Sequence, residues 1–235
     1  MEKLIFLFAF ITHYFINAQG LDGNQLLESA IAYHDPESKW KVFKDKFVIT
    51  MESPNRPLRK SIIQLDMPNS YFKLEVFQNQ NIITSTIEND SCVIQFNGNE
   101  NFSKSIKKEY RLDCDRAKFY RDYYTYLYGL PMKLRDTGTI IDPEVRIKKI
   151  DNITYWVLKV TYDKDVGNDI WYFFFDPKTF ALKRYQFFHD ESKNDGEYVL
   201  LDDEIVIHGI KMPKNRSWYY NSNQKFLAID RLSIN

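Results

Sequence analysis

Only two cysteines, Cys92 and Cys114, occur in the 235 residues, and no CxxC spacing joins them. That excludes a zinc framework built on paired thiolates. Net charge is also missing: 32 basic residues balance 32 acidic ones. Nucleic acid is therefore excluded as the main partner, because neutralising phosphates needs a basic excess. Past the first turns of the chain, no apolar run approaches the roughly 20 residues that span a bilayer. There is no GxSxG, HExxH, P-loop or GxGxxG motif, so no familiar enzyme signature identifies a reaction. Short repeats, low-complexity tracts and βαβ alternation are absent as well, and the last absence argues against a parallel doubly wound sheet or barrel.

What is present begins with a leader. Met1, Glu2 and Lys3 precede an apolar run from Leu4 to Ile11, extended by Tyr14, Phe15 and Ile16 and closed by Ala18. One positive charge, a short apolar core and a small residue at the boundary are the parts of a secretory signal. Thr12, His13 and Asn17 interrupt the run too often for a membrane span. We read residues 1–18 as a signal peptide and 19–235 as one exported domain, periplasmic or extracellular. No cysteine stands at the boundary to carry a lipid anchor. Export permits a disulfide between Cys92 and Cys114; two buried thiols in separate elements are the alternative.

The domain pattern is mainly antiparallel β with helices, an α+β chain. Asp22 and Gln25 frame a helix start, followed by Leu26, Leu27, Ala30 and Ile31 at helical spacing, and Asp35-Pro36 stops it. From Trp40 the period becomes two. Phe47, Ile49 and Met51, then Ile63, Leu65 and Met67, then Phe72, Leu74 and Val76 mark strand faces between turns such as 54–57 and 68–69. Further strands are expected near 82–87 and over Cys92, Ile94 and Phe96. A helical insert follows near 113–129, capped by Asp113 or Asp115, striped by Phe119, Tyr120, Tyr123, Tyr124, Tyr126 and Leu127, and ended by Gly129 and Pro131. Strands resume after Asp142-Pro143. The spacing predicts 145–150 against 153–162, 170–175 against 180–188, 197–208 against 210–212, and last strands near 217–220 and 225–234.

Histidines and acids give weak chemical signals. His34 closes the first helix, where it can answer the helix's negative end or serve as a polar group at a cavity mouth. His189 with Asp190 and Glu191 reads as a solvated loop rather than a metal set, and His208 as a solvent-facing hairpin residue. The aromatics, 16% of the chain, give the stronger signal. The six apolar residues from Ile170 to Phe175 form a strand covered on both faces. One face can pack on helices while the other lines a cavity; a filled core is the alternative.

The order of these parts resembles the lipoprotein-carrier (LolA-like) fold of the bacterial periplasm, and within it a Bacteroidetes family of exported proteins. The likeness rests on Ala32-Tyr33-His34-Asp35-Pro36 with Trp40, on Gly129-Leu130-Pro131-Met132-Lys133-Leu134, on Phe175-Asp176-Pro177-Lys178-Thr179, and on Gly209-Ile210-Lys211-Met212-Pro213. It implies a curved half-barrel sheet whose concave face is covered by helices over an apolar cavity, with no catalytic residues to carry over. With the aromatic pattern, it implies a lid of Tyr124, Tyr126, Leu127 and Pro131. Trp171, Phe173, Tyr185 and Phe187 would line the sheet, with His34 and Trp40 at the rim. Arg184 takes the part of the sheet arginine that holds such carriers closed. The implied function is non-catalytic binding of an apolar or lipid-like ligand, such as a lipoprotein acyl chain, with no cofactor or metal. Two other readings compete: an enzyme using His34 with a nearby acid, and an interaction domain using an exposed sheet face.

Overall fold

A computed structural model describes residues 20–89 and 91–234; the proposed signal, 1–18, lies outside them. Helix α1 (Gly23–His34) starts at the reciprocal cap read from the sequence. The Asp22 carboxylate accepts the Gln25 amide at 2.9 Å, and the Gln25 side chain accepts the Asp22 amide at 3.0 Å. Leu26, Leu27 and Ala30 bury its inner face. A side chain at Gly23 would stand 2.0 Å from the Asp142 carbonyl oxygen, so glycine is what lets the helix start lie against the sheet.

Strands β1 (Lys44–Glu52), β2 (Arg59–Asp66), β3 (Tyr71–Gln78), β4 (Asn81–Glu88) and β5 (Ser91–Phe96) form the first meander. Helices α2 (Lys104–Tyr110) and α3 (Cys114–Tyr128) follow it. The second meander is β6 (Thr139–Ile150), β7 (Ile153–Tyr162), β8 (Ile170–Phe175), β9 (Leu182–Phe188), β10 (Glu197–Ile207), β11 (Ile210–Tyr220) and β12 (Phe226–Ser233). They join in one antiparallel sheet of order β5-β4-β3-β2-β1-β12-β11-β10-β9-β8-β7-β6. Its seam is β12 on β1, Val48 facing Ser233 through to Glu52 facing Ile229. Tight turns at Asn79-Gln80, Asp151-Asn152 and His208-Gly209 put both central residues at positive φ. Their twist matches that of the strands they join.

Two of the boundaries that differ from the sequence reading fall at prolines. β6 begins at Thr139, ahead of Pro143, with a register shift between Ile141 and Val145. An edge strand tolerates a residue with no amide hydrogen. β11 continues through Pro213 to Tyr220 as one strand; its pairing to β12 begins only at Asn215, so Pro213 falls where that neighbour is absent.

The first residue of α3, Cys114, is disulfide-bonded to Cys92 of β5. Asp113 supplies the cap, accepting the Arg116 amide at 2.7 Å. At the other end Gly129 lies so close to the Trp40 ring that a Cβ would approach it to 2.4 Å. The tyrosine stripe is turned unevenly: Tyr124, Leu127 and Tyr128 are buried, while Phe119 is exposed. Tyr128 packs on Phe47 of β1, ring centroids 5.2 Å apart, so α3 seats its C-terminal half in the core. Reducing the bridge, which closes a 22-residue separation, is expected to cost about 3 kcal/mol. A urea midpoint unchanged by reductant or by Cys114→Ser would contradict that.

Candidate functional site

The concave face is closed at one end and open at the other. At the closed end α1, the turn Trp40–Val42 and the starts of β9 and β11 pack together. At the opposite strand ends, a half-open cavity of about 810 Å³ lies beneath α3. Its sheet wall comes from the start of β8, the end of β9, the end of β11 and the start of β12, as Trp171, Phe187, Trp218, Leu227 and Ala228. Its roof is Phe119, Tyr123, Tyr126 and Leu127 of α3. The rings hold one another in place. Trp171 stacks on Phe187 at 4.8 Å and meets Tyr126 edge-on at 5.4 Å; Tyr123 stacks over Trp218 at 6.4 Å. The Tyr126 and Tyr162 hydroxyls are hydrogen-bonded. Burial raises the pKa of both phenols, that of Tyr162 to about 12, so neither ionises near neutral pH.

Polar groups sit at the margins. His189 Nδ1 lies 2.7 Å from Asp169, and that hydrogen bond raises the imidazole pKa. Glu197 is half-buried beside them and its pKa is raised by burial, an effect His189 opposes. At the cavity floor Asp230 accepts the Trp218 indole N–H at 3.1 Å; burial raises its pKa too, against the pull of Arg216. Arg216 is 1% exposed. It donates to the Pro213 carbonyl at 2.8 Å and to the Leu127 carbonyl of α3 at 3.4 Å, with its guanidinium 3.8 Å from the Tyr128 ring centre. A sheet arginine thus clasps the C-terminal turn of the covering helix.

A model of a family of unknown function, DUF6503, matches residues 3–235. The chain belongs to the DUF6503 family. No curated protein is matched. Among solved structures, this DUF6503 chain is similar to a LolA superfamily protein from Nitrosomonas europaea, at 14% identity and TM-score 0.53, covering 92% of this chain and 93% of that one. It is also similar to a putative outer membrane lipoprotein-sorting protein domain from Vibrio parahaemolyticus, at 9% identity and TM-score 0.52, covering 90% of each. These likenesses establish a LolA-like fold.

Of the residues selected from the DUF6503 sequence, Tyr126, Leu127, Trp171 and Phe187 meet in the cavity. Phe173 and Tyr185 lie on the same sheet face but deeper, fully buried beneath Trp171. Tyr124 is buried under α3, where it accepts a hydrogen bond from Arg59 at 3.2 Å. Pro131 and Trp40 are buried at the far end. Arg184 is on the opposite face: it neighbours inward-facing Tyr185, and successive strand residues point to opposite sides. There it stacks on Tyr198 at 4.2 Å and Phe174 at 5.1 Å. The clasp position belongs to Arg216 instead. Arg216, Trp218 and Tyr123 were missed. The first two share the period-two face of Met212, but a strand thought to end at Met212 concealed that face. The loop acids beside His189 do not converge: Asp190 binds Ser192 and Glu191 binds Tyr172.

His34 is placed neither at a helix end in water nor at a cavity mouth. It is fully buried. Its Nε2 accepts the Leu182 amide at 2.9 Å, which leaves Nδ1 as the donor to the Lys211 carbonyl at 2.6 Å. The ring is a neutral staple joining α1 to β9 and β11. Neighbouring Asp35 is spent on the Lys39 and Trp40 amides, so this pair has no free nitrogen or acid for proton transfer. Protonation would set an N–H against the Leu182 N–H, and burial lowers the imidazole pKa below its ordinary value. Below about pH 6.5 the unfolded chain therefore binds a proton that the folded chain refuses. This contribution is whole above that pH and fades on acidification by up to about 1.4 kcal/mol per pH unit. His189, with its raised pKa, acts in the opposite sense, so only a comparison isolates His34. His34→Gln is expected to cost about 2 kcal/mol at pH 8, and the gap to wild type in urea denaturation is expected to narrow towards pH 5. A gap independent of pH would refute this account.

Proposed function

We propose that the chain is an exported, non-catalytic carrier that holds an apolar or lipid-like ligand, such as an acyl chain, beneath α3 in the bacterial envelope. The observation that carries this reading is the cavity itself: about 810 Å³, walled by Trp171, Phe187, Trp218 and Leu227 and open at one end. That volume lies inside the range of about 300–1,000 Å³ typical of small-molecule sites. Each methylene moved into it from water contributes about 0.8 kcal/mol. The LolA-like fold and the leader read at 1–18 support an envelope location, and no helix among the described residues is long and apolar enough to cross a membrane. Arg216 gives the carrier a latch, since it joins the sheet to the last turn of the roof.

Native mass spectrometry of gently purified protein is expected to show a co-purifying apolar mass that detergent removes. Fatty acids are expected to change the fluorescence of Trp171 and Trp218. Ala228→Trp, which fills the floor opposite Trp218, is expected to weaken fatty-acid binding at least about tenfold (~1.4 kcal/mol) with an unchanged circular dichroism spectrum. Absence of both bound mass and fluorescence response would remove the proposal. Arg216→Met is expected to speed ligand release roughly tenfold and to lower the thermal midpoint. Release at the wild-type rate in stopped flow would show that the arginine is no latch.

A further inference from the structure

Beneath α3 the apolar cavity is one of three adjoining spaces that share wall residues. A small hollow of about 70 Å³ shares Met51, Tyr123 and Asp230 with it. On its other side this hollow shares Arg59 and Tyr120 with a third cavity of about 330 Å³. That third space lies between strands β2–β5 and the α2–α3 corner, and its chemistry is different. Arg59 of β2, Arg116 of α3 and Arg111 between the helices line it, against Glu109 and Asp113.

Two of these arginines converge on one ring. The Arg116 guanidinium stands 4.4 Å from the centre of the Tyr120 ring and donates to its hydroxyl at 2.7 Å. The Arg59 guanidinium stands 5.3 Å from the same ring centre. Arg59 Nε is buried with no hydrogen-bond partner. Among the described residues, no carboxylate lies within 4.0 Å of the side-chain nitrogens of Arg59, Arg111 or Arg116. Like charges gathered in a partly dry space repel, and a buried donor without an acceptor is costly. A ligand anion seated among the three guanidiniums answers the repulsion. The guanidinium forks match a carboxylate or phosphate in geometry as well as charge.

We propose that this arginine cavity is the head-group site for an anionic amphiphile, a carboxylate or phosphate monoester whose tail lies in the apolar cavity. The assignment rests on the carrier reading above and extends it to the class of ligand. The acid in the wall between the spaces is no obstacle: Asp230 accepts the Trp218 indole N–H, and burial favours its uncharged form.

The test compares dodecyl phosphate, dodecanol and inorganic phosphate on the mature protein, by tryptophan fluorescence and calorimetry. Dodecyl phosphate is expected to bind at least about tenfold tighter than dodecanol. Inorganic phosphate is expected to compete with dodecyl phosphate and not with dodecanol, a result that needs no variant. In Arg59→Gln and Arg116→Gln the affinity ratio of the two amphiphiles is expected to collapse towards one, while Arg116→Lys keeps part of it. Equal binding of the two amphiphiles by wild type would overturn the head-group site and leave the carrier reading standing. Arginine-dependent binding of inorganic phosphate with neither amphiphile bound would overturn the amphiphile assignment and the carrier reading together. Binding of none of the three would do the same.

Discussion

The pairing of β12 with β1 joins two meanders that would otherwise be separate sheets. Among the described residues, the five strands before α2 and the seven after α3 pair with each other in the sheet only at this seam. The cavity straddles it: Met51 comes from β1, Leu227 and Ala228 from β12, and Trp218, Phe187 and Trp171 from the strands beyond. Pairing of the chain's last strand with its first also fixes the curvature of the concave face, because twist accumulates across a continuous sheet. The helix between the two meanders has one curved surface to lie on, and its rings meet walls that are remote in sequence.

On that surface α3 is held at both ends by different means. The disulfide fastens its first residue to β5. Its last turn is held by Arg216, by Tyr128 on Phe47, and by the close contact of Gly129 with Trp40. One attachment is covalent and the other is packing with charge-assisted hydrogen bonds, so only the second can yield without breaking a covalent bond. The roof residues over the apolar cavity, Tyr123 to Leu127, lie nearer the yielding end.

Buried polar groups divide into two kinds in this molecule. His34 and Asp35 satisfy backbone amides and carbonyls and make a rigid plug at the closed end of the half-barrel. Asp230 sits at the cavity floor, and Arg216 near it and Arg59 beyond it each keep a buried Nε with no hydrogen-bond partner. Polar groups fully satisfied by the backbone make that end rigid and specify its packing.

Much of the architecture was legible from local signals. The Asp22–Gln25 cap, the turns at Asp151-Asn152 and His208-Gly209, the break at Asp35-Pro36 and the period-two apolar faces are interactions between residues near in sequence, and composition and spacing report those directly. Tyr126, Leu127, Trp171 and Phe187 were legible for the same reason, as large rings on recognisable faces. The identity of the clasp was not. Arg184 and Arg216 are both arginines in strands, and a one-residue difference in register or an unnoticed continuation through Pro213 decides which one faces inward. His34 likewise read as a helix-end or cavity-mouth residue, because its partners at Leu182 and Lys211 are far along the chain. The sequence by itself determined the elements and their order, since these follow from short-range propensity and pattern. Only the tertiary structure decided which face each strand turns inward and which distant groups meet, because burial and pairing are properties of the folded sheet as a whole.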